Sequence, residues 1–211
     1  MRNVICDPIL IRELEVPGSD VRCGVNLICR PSQELAALAA ALQRKLRSIE
    51  PNQYYYPTAD LHLTVFEISH SLDPQQAAGT GERMASRSDA WSKGLESFQL
   101  RSPRTSFDER GCALRFEDDE RFGGLRRNLS DKLSAIGIQA MPRSEAASPH
   151  ITFMRYLRPL TTDSNTWLDL LSKVDEPPAL TWNISELWLT WGATWFGMRS
   201  RIVERGPYRL A

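Results

Sequence analysis

The sequence predicts an α+β fold assembled from two similar halves, and three observations carry that reading. Amphipathic helical stripes and strand-like runs interleave along the 211 residues. The order strand or hairpin, helix, loop, strand occurs twice. The strand that closes each round carries the same triplet, His-x-Thr, at 62–64 and again at 150–152. A chain of this length, 42% hydrophobic and 25% charged, buries a core as one domain or as two closely fused lobes.

The elements follow in order. The run "MRNVICDPILIREL" is apolar in flavour, but Asp7 and Pro8 interrupt it, so it lacks the unbroken core of a signal peptide or a membrane span. Residues 21–29, "VRCGVNLIC", read as a strand. Within 32–50, Leu35, Leu38, Leu42, Leu46 and Ile49 form one helical stripe with Ser32 as N-cap. A Pro-flanked aromatic loop, "PNQYYYP", leads to the first triplet strand, "DLHLTVFEIS". Strand alternation there places His62, Thr64, Phe66 and Ile68 on one face, and Leu61, Leu63 and Val65 on the other. Residues 73–94 are polar and contain glycine, and their later part is expected to be helical.

The second round opens with strands at 97–108 and 111–117, joined into a hairpin by the turn at Glu109–Gly111. In 118–137, Phe122, Leu125, Leu129, Leu133 and Ile136 recur at helical spacing, and Gly137 ends the helix. The second triplet strand, "PHITFMRY", follows. A helix over 163–174 and two closing strands, "WNISELWLTW" and "MRSRIVER", complete the reading. No short-period repeat is present.

Lys plus Arg and Asp plus Glu both number 26, so no global positive field exists to hold duplex nucleic acid by counterion release. The four cysteines show no C-x-x-C spacing and no histidine at zinc-ligand distance, which predicts free thiols and a cytoplasmic location. No D-x-D or His-x-x-x-His spacing supports a metal, and no cofactor is expected.

Two of the three histidines carry the triplet. A lone His-x-Thr is common; the pair, "HLTV" at 62–65 and "HITF" at 150–153, separated by 88 residues, resembles the signature of the 2H phosphoesterase superfamily, which includes RNA 2',3'-cyclic phosphodiesterases also called 2'-5' RNA ligases. The similarity runs from about Val21 onward. It implies a bilobal, internally duplicated LigT-like fold, with mainly antiparallel sheets around a central cleft and 1–211 as a single domain of two pseudo-symmetric lobes. Each lobe then supplies one triplet. Two imidazoles with ordinary pKa values near 6.5 divide into a neutral base and a cationic acid at neutral pH, and threonine hydroxyls donate to phosphate oxygens.

The reading this supports is a metal-independent phosphodiesterase that hydrolyses 2',3'-cyclic phosphate or related bonds in nucleotides or RNA ends. His62 and His150 are the acid/base pair, in unassigned order, and Thr64 and Thr152 hold the phosphate. The alternatives are 2'-5' RNA ligase activity and a nucleotide-binding module with little turnover. The expected partner is a small nucleotide, a cyclic nucleotide or a short RNA end, and the protein is expected to be a monomer.

Arg155 is a further phosphate-binding candidate, although three residues past Thr152 it faces away from His150 unless a bulge intervenes. Glu67 holds the corresponding place in the first motif. Tyr54 and Tyr56 are candidates for base stacking. His70 is read as a surface histidine without a role, and Trp188, Trp191 and Trp195 as core and strand-edge aromatics. Arg101, Arg104, Arg126 and Arg127 are read as solvated charges. Because the two-histidine reading needs no divalent ion, hydrolysis of a 2',3'-cyclic phosphate is expected to survive exhaustive chelation. Loss of activity that added magnesium, manganese or zinc restores would overturn it.

Overall fold

Strands of alternating polarity and helices with one apolar stripe bury each other best as a sheet covered on one face, and this is the arrangement in the computed structural model. It describes residues 4–71, 73–117, 120–139, 148–163, 165–167, 169, 180–193 and 198–211. The strands are β1 (Cys23–Cys29), β2 (Tyr54–Tyr55), β3 (Leu63–Ser71), β4 (Phe98–Asp108), β5 (Gly111–Glu117), β6 (His150–Arg155), β7 (Thr181–Ile184), β8 (Glu186–Gly192) and β9 (Ile202–Arg209). The helices are α1 (Pro8–Glu15), α2 (Gln33–Arg47), α3 (Pro74–Ser86), α4 (Ser88–Ser92) and α5 (Glu120–Ala135). Of the helix expected over 163–174, residues 165–167 and 169 are helical and most of the rest lies outside the described residues.

The strands join in the order β7-β4-β5-β6-β3-β1-β8-β9, all antiparallel, in one curled sheet, with β2 pairing β6. The two sheets of the expectation are thus one network, but the join is narrow. Strands β3 and β6, the two triplet strands, meet at the centre through one pair among the described residues, Leu63 and Ile151. The core is the apolar stripes of α2 (Leu35, Ala39, Leu42, Leu46) and α5 (Phe122, Leu125, Leu129, Leu133) against Leu63, Val65, Ile151 and Phe153 of the central strands.

Two departures from the sequence reading have local causes. Residues 182–191 form two strands rather than one, broken at Ser185. Strand β7 pairs β4 at one end of the sheet, whereas β8 pairs β1 in the other half, and the Ser185 carbonyl accepts from Leu210 N–H at 2.9 Å. The N-terminal segment, beyond the span of the motif resemblance, forms α1. The two residues that break its apolar run are those that start it: the Asp7 carboxylate caps the Ile9 and Leu10 amides, and Pro8 takes the first turn. Among the described residues, no helix is long and apolar enough to cross a membrane.

Gly111 marks the tightest approach in the sheet. A Cβ built there would lie 2.1 Å from the Met154 carbonyl oxygen, so β5 reaches β6 only with glycine at this position. Gly111→Ala is expected to destabilise the protein by about 1–3 kcal/mol, lowering Tm by roughly 3–10 °C in a thermal melt. An unchanged melt would show that β6 relaxes freely at this point.

Candidate active site

Antiparallel strands place directly opposed residues on the same face. With Leu63 opposite Ile151, and both buried against the helices, the residues one step to either side point away from the core. That register sets His62 across from Thr152 and Thr64 across from His150, so the triplets interleave on one face. All four side chains are half-buried, while Leu61, Leu63, Ile151 and Phe153 are buried.

The imidazoles are held alike. His62 Nδ1 lies 2.8 Å from the Asp60 carbonyl, and His150 Nδ1 lies 3.1 Å from the Ser148 carbonyl, each two residues back in its own chain. A carbonyl only accepts, so in each ring Nδ1 carries the proton. The turn that supplies the Asp60 carbonyl is braced by Arg30, which donates to the Ala59 and Leu61 carbonyls at 3.2 Å, and by the Arg199 amide on the Asp60 carboxylate at 3.1 Å. Burial, joined by the positive charges of Arg30 and His150, pushes the His62 pKa down to about 4. His62 is therefore neutral at pH 7.

Beyond the triplets each strand carries a β-bulge. In β6 the extra residue is Phe153, between the pairs Ala113–Thr152 and Cys112–Met154. Phe153 and Met154 are both buried, and the phase of the strand reverses, so Arg155 comes round to line the cleft. In β3 the extra residues are Val65 and Ile68. They bury Phe66 and Ile68, which simple alternation had put beside Thr64, and turn Glu67 and His70 into the cleft instead. The interval from threonine to the next cleft residue is the same in both motifs, with Glu67 in one place and Arg155 in the other.

An extra bulge residue drops out of the ladder, and its carbonyl needs a donor from elsewhere. The Phe153 carbonyl accepts from the Tyr56 amide at 3.1 Å and from the buried side-chain amide of Gln43 on α2 at 2.8 Å, and the same Gln43 nitrogen reaches the Tyr56 carbonyl at 2.8 Å. The Val65 carbonyl accepts from Arg126 Nε on α5 at 2.9 Å. Each of these helices thus clamps the bulge of one triplet strand. Arg126 is accordingly buried at 6% exposure and not the solvated charge that its place in the sequence suggested.

The cleft measures about 400 Å³ and is lined by residues that include His62, Thr64, Glu67, His70, Arg110 and Arg155, with Asp7 from the N-terminal segment and Arg22 and Asn26 from the β1 side. His150 and Thr152 share the face of His62 and Thr64 without lining this cavity. His70, read as a surface residue without a role, is exposed; it stands on β3 at the rim of the cleft and pairs with Glu67. Tyr56 does not offer a ring face to a base. It is 3% exposed, its hydroxyl accepts from Arg155 Nε at 3.0 Å, and so it aims the guanidinium. Tyr54 is half-buried edge-on to Tyr56 at 4.9 Å and does not line the cleft. Trp191 is buried, Trp188 is half-buried, and Trp195 lies outside the described residues.

No protein-family model and no curated protein matches this sequence. Solved structures do match the fold. TT0787 of Thermus thermophilus is 16% identical, with 86% of this chain and 93% of that one covered at a TM-score of 0.56. A structure described as a phosphoesterase is 13% identical, covering 89% and 98% at 0.58. Escherichia coli LigT, solved with 3'-AMP, is 14% identical, covering 90% and 99% at 0.56. The chain has a LigT-like fold.

Within that LigT-like fold, sequence patterning missed Gln43, Arg126, Arg30 and Asp7. Two of them left a signal: Gln43 and Arg126 each interrupt or flank an apolar helical stripe, where a polar residue asks for a buried partner. Among the described residues no group of three or more His, Cys, Asp or Glu side chains could hold a metal ion. The Cys112 thiol offers no nucleophile either, since burial pushes its pKa up to about 12.

Gln43→Met keeps the length of the side chain but removes the donor on two carbonyls. It is expected to lower the unfolding free energy by about 1–3 kcal/mol in a denaturant titration. Gln43→Glu should cost more, because a carboxylate would face both carbonyls. Parent-like stability of both variants would mean that the β6 bulge closes without its clamp.

Proposed function

We propose that the protein is a metal-independent phosphodiesterase acting on 2',3'-cyclic phosphates of nucleotides or RNA ends, with His62 as general base and His150 as general acid. The observation that carries this reading is the register of β3 on β6, which puts both triplets on one face, with both Nδ1 atoms held by backbone carbonyls and the Nε2 atoms assigned to proton transfer. The order of roles follows from His62 being held neutral, which makes it the group able to accept a proton.

In the forward step His62 Nε2 takes a proton from water as the water oxygen bonds to phosphorus. His150 gives its proton to the ribose oxygen as that P–O bond breaks, leaving a phosphate monoester and a free hydroxyl. Thr64 and Thr152 hydroxyls donate to the non-bridging oxygens, and Arg155, steadied by Tyr56, offers its remaining N–H groups to the same phosphate. With a ribose 5'-hydroxyl in place of water as the nucleophile, the same forward step forms the new P–O bond as the cyclic P–O bond breaks, and the same pair serves a ligase.

The lining favours a singly charged diester. Among the described residues, Arg22, Arg110 and Arg155 share the cleft with the carboxylates of Asp7 and Glu67, so its net positive charge is small and matches one phosphate charge better than several. Structures of Escherichia coli LigT with 3'-AMP, phosphate, ATP and NADP+ are consistent with a nucleotide or phosphate ligand. Free Cys6, Cys23, Cys29 and Cys112 fit a reducing cytoplasm.

The test is a turnover screen of 2',3'-cyclic nucleotides, 3',5'-cyclic nucleotides, cyclic oligonucleotides and 2'-5'-linked dimers. Hydrolysis of the 2',3'-cyclic class is expected, with His62→Ala and His150→Ala each slower by about 10² to 10⁴ and their effects less than multiplicative. Because kcat/KM falls when the free enzyme's base is protonated, its acid limb should lie near pH 4, well below that of an ordinary imidazole. A limb near pH 6.5 would reverse the role assignment, and parent-like turnover in both histidine variants would end the reading.

A further inference from the structure

Next to the cleft lies a second cavity of about 210 Å³, lined by residues that include Ser69, His70, Gln76, Thr80, Arg83 and Gln139. His70 borders both cavities, so the two adjoin at the far end of β3. The size is below that of a complete ligand pocket and suits a subsite. From His62 to His70 the strand spans roughly 25 Å, so a mononucleotide held at His62 does not reach it.

The wall of this cavity is built. Gln76, Thr80 and Arg83 stand four and three residues apart on α3, which places them on one stripe of the helix. The stripe beside it, Ala77, Gly81 and Met84, is buried. A Cβ on Gly81 would come within 2.4 Å of the Trp191 ring, so the helix sits against the sheet too closely to roll, and the polar stripe is held toward the cavity. Gln76 and Arg83 are exposed and Thr80 is half-buried, so the stripe forms the open rim of a concave site that continues the cleft.

The chemistry of the two cavities differs. The cleft carries Asp7 and Glu67 among its arginines, whereas no carboxylate among the described residues lines the second cavity, which offers amides, hydroxyls and a guanidinium. That donor set suits a backbone phosphate and the edge of a base. Resting on the proposal that the cleft takes a cyclic phosphate end, we infer that the second cavity is a subsite for upstream nucleotides of a single-stranded RNA, with Arg83 on a backbone phosphate and Gln76 and Gln139 on a base. The N-terminal segment walls the cleft near Arg110 and Arg155, where the Ile5 amide donates to the Glu109 carbonyl at 2.6 Å, so the RNA end enters there and the chain leaves past His70.

The experiment measures kcat/KM on oligoribonucleotides of increasing length, from a mononucleotide to a hexamer, each ending in a 2',3'-cyclic phosphate. The hexamer should exceed the mononucleotide by about tenfold, and Arg83→Ala should remove most of that ratio, since one charge-assisted contact is worth about that much. Equal kcat/KM at every length, or an Arg83→Ala loss that is the same for monomer and hexamer, overturns the subsite. A second readout is independent of turnover: anisotropy of a labelled hexamer carrying a 3'-phosphate on His62→Ala protein, with and without Arg83→Ala. Absence of hydrolysis at every length, combined with Arg83-dependent hexamer binding, would sink the proposed reaction and keep the subsite. Hexamer binding indifferent to Arg83 would sink the subsite alone.

Discussion

The cross-strand pair of Leu63 with Ile151 holds the two halves of the sheet together and sets everything polar at its centre. Both side chains are buried in the shared core, at 0% and 1% exposure, so hydrophobic burial drives the join. A slip of one residue would turn these two to solvent and the histidines into the core, at the cost of losing that burial and desolvating two imidazoles. The same forces that make the core therefore place the reactive groups. No separate device is needed to bring the triplets together.

The bulges add what alternation cannot. A regular strand would show Thr64 and Phe66, or Thr152 and Met154, on one face; an extra residue in each strand exchanges an apolar neighbour for Glu67 or Arg155. At each exchange a long polar side chain from a helix donates to the bulge carbonyl: Gln43 to Phe153, which also accepts from the Tyr56 amide, and Arg126 to Val65. The helices that build the core are thus also the parts that hold the cleft lining in position. Gly111, which lets β5 come up against Met154, belongs to the same construction.

Electrostatics gives the cleft direction. Strands β3 and β6 run in opposite senses from the bridge, so Arg155 lies beyond one end of the triplet pair and Glu67 with His70 beyond the other. The cleft thus has a cationic end, the paired triplets at its centre and a mixed end that opens toward the cavity of amides and hydroxyls. Arg30 contributes twice, bracing the turn before His62 and, by its charge, helping burial to keep that imidazole neutral.

The sequence by itself determined most of the secondary elements and the shared face of the two His-x-Thr triplets, because both are written in short-range pattern. Ser32 does cap α2 and accepts from the Leu35 amide at 3.3 Å, the stripe from Phe122 to Leu133 is buried, and the repeated His-x-Thr spacing marks a shared face under strand alternation alone. What it could not decide were the features that depend on partners distant in the chain. Whether Arg155 faces the cleft turns on a bulge defined by β5, and whether His70 is surface or site turns on bulges defined by β1. The burial of Arg126 depends on a carbonyl 61 residues away, and the split of residues 182–191 into β7 and β8 on two different neighbours, β4 and β1. Alternation and helical periodicity record which side of its own element a residue occupies, and only the packed sheet supplies the phase shifts and the long-range donors that decide what that side meets.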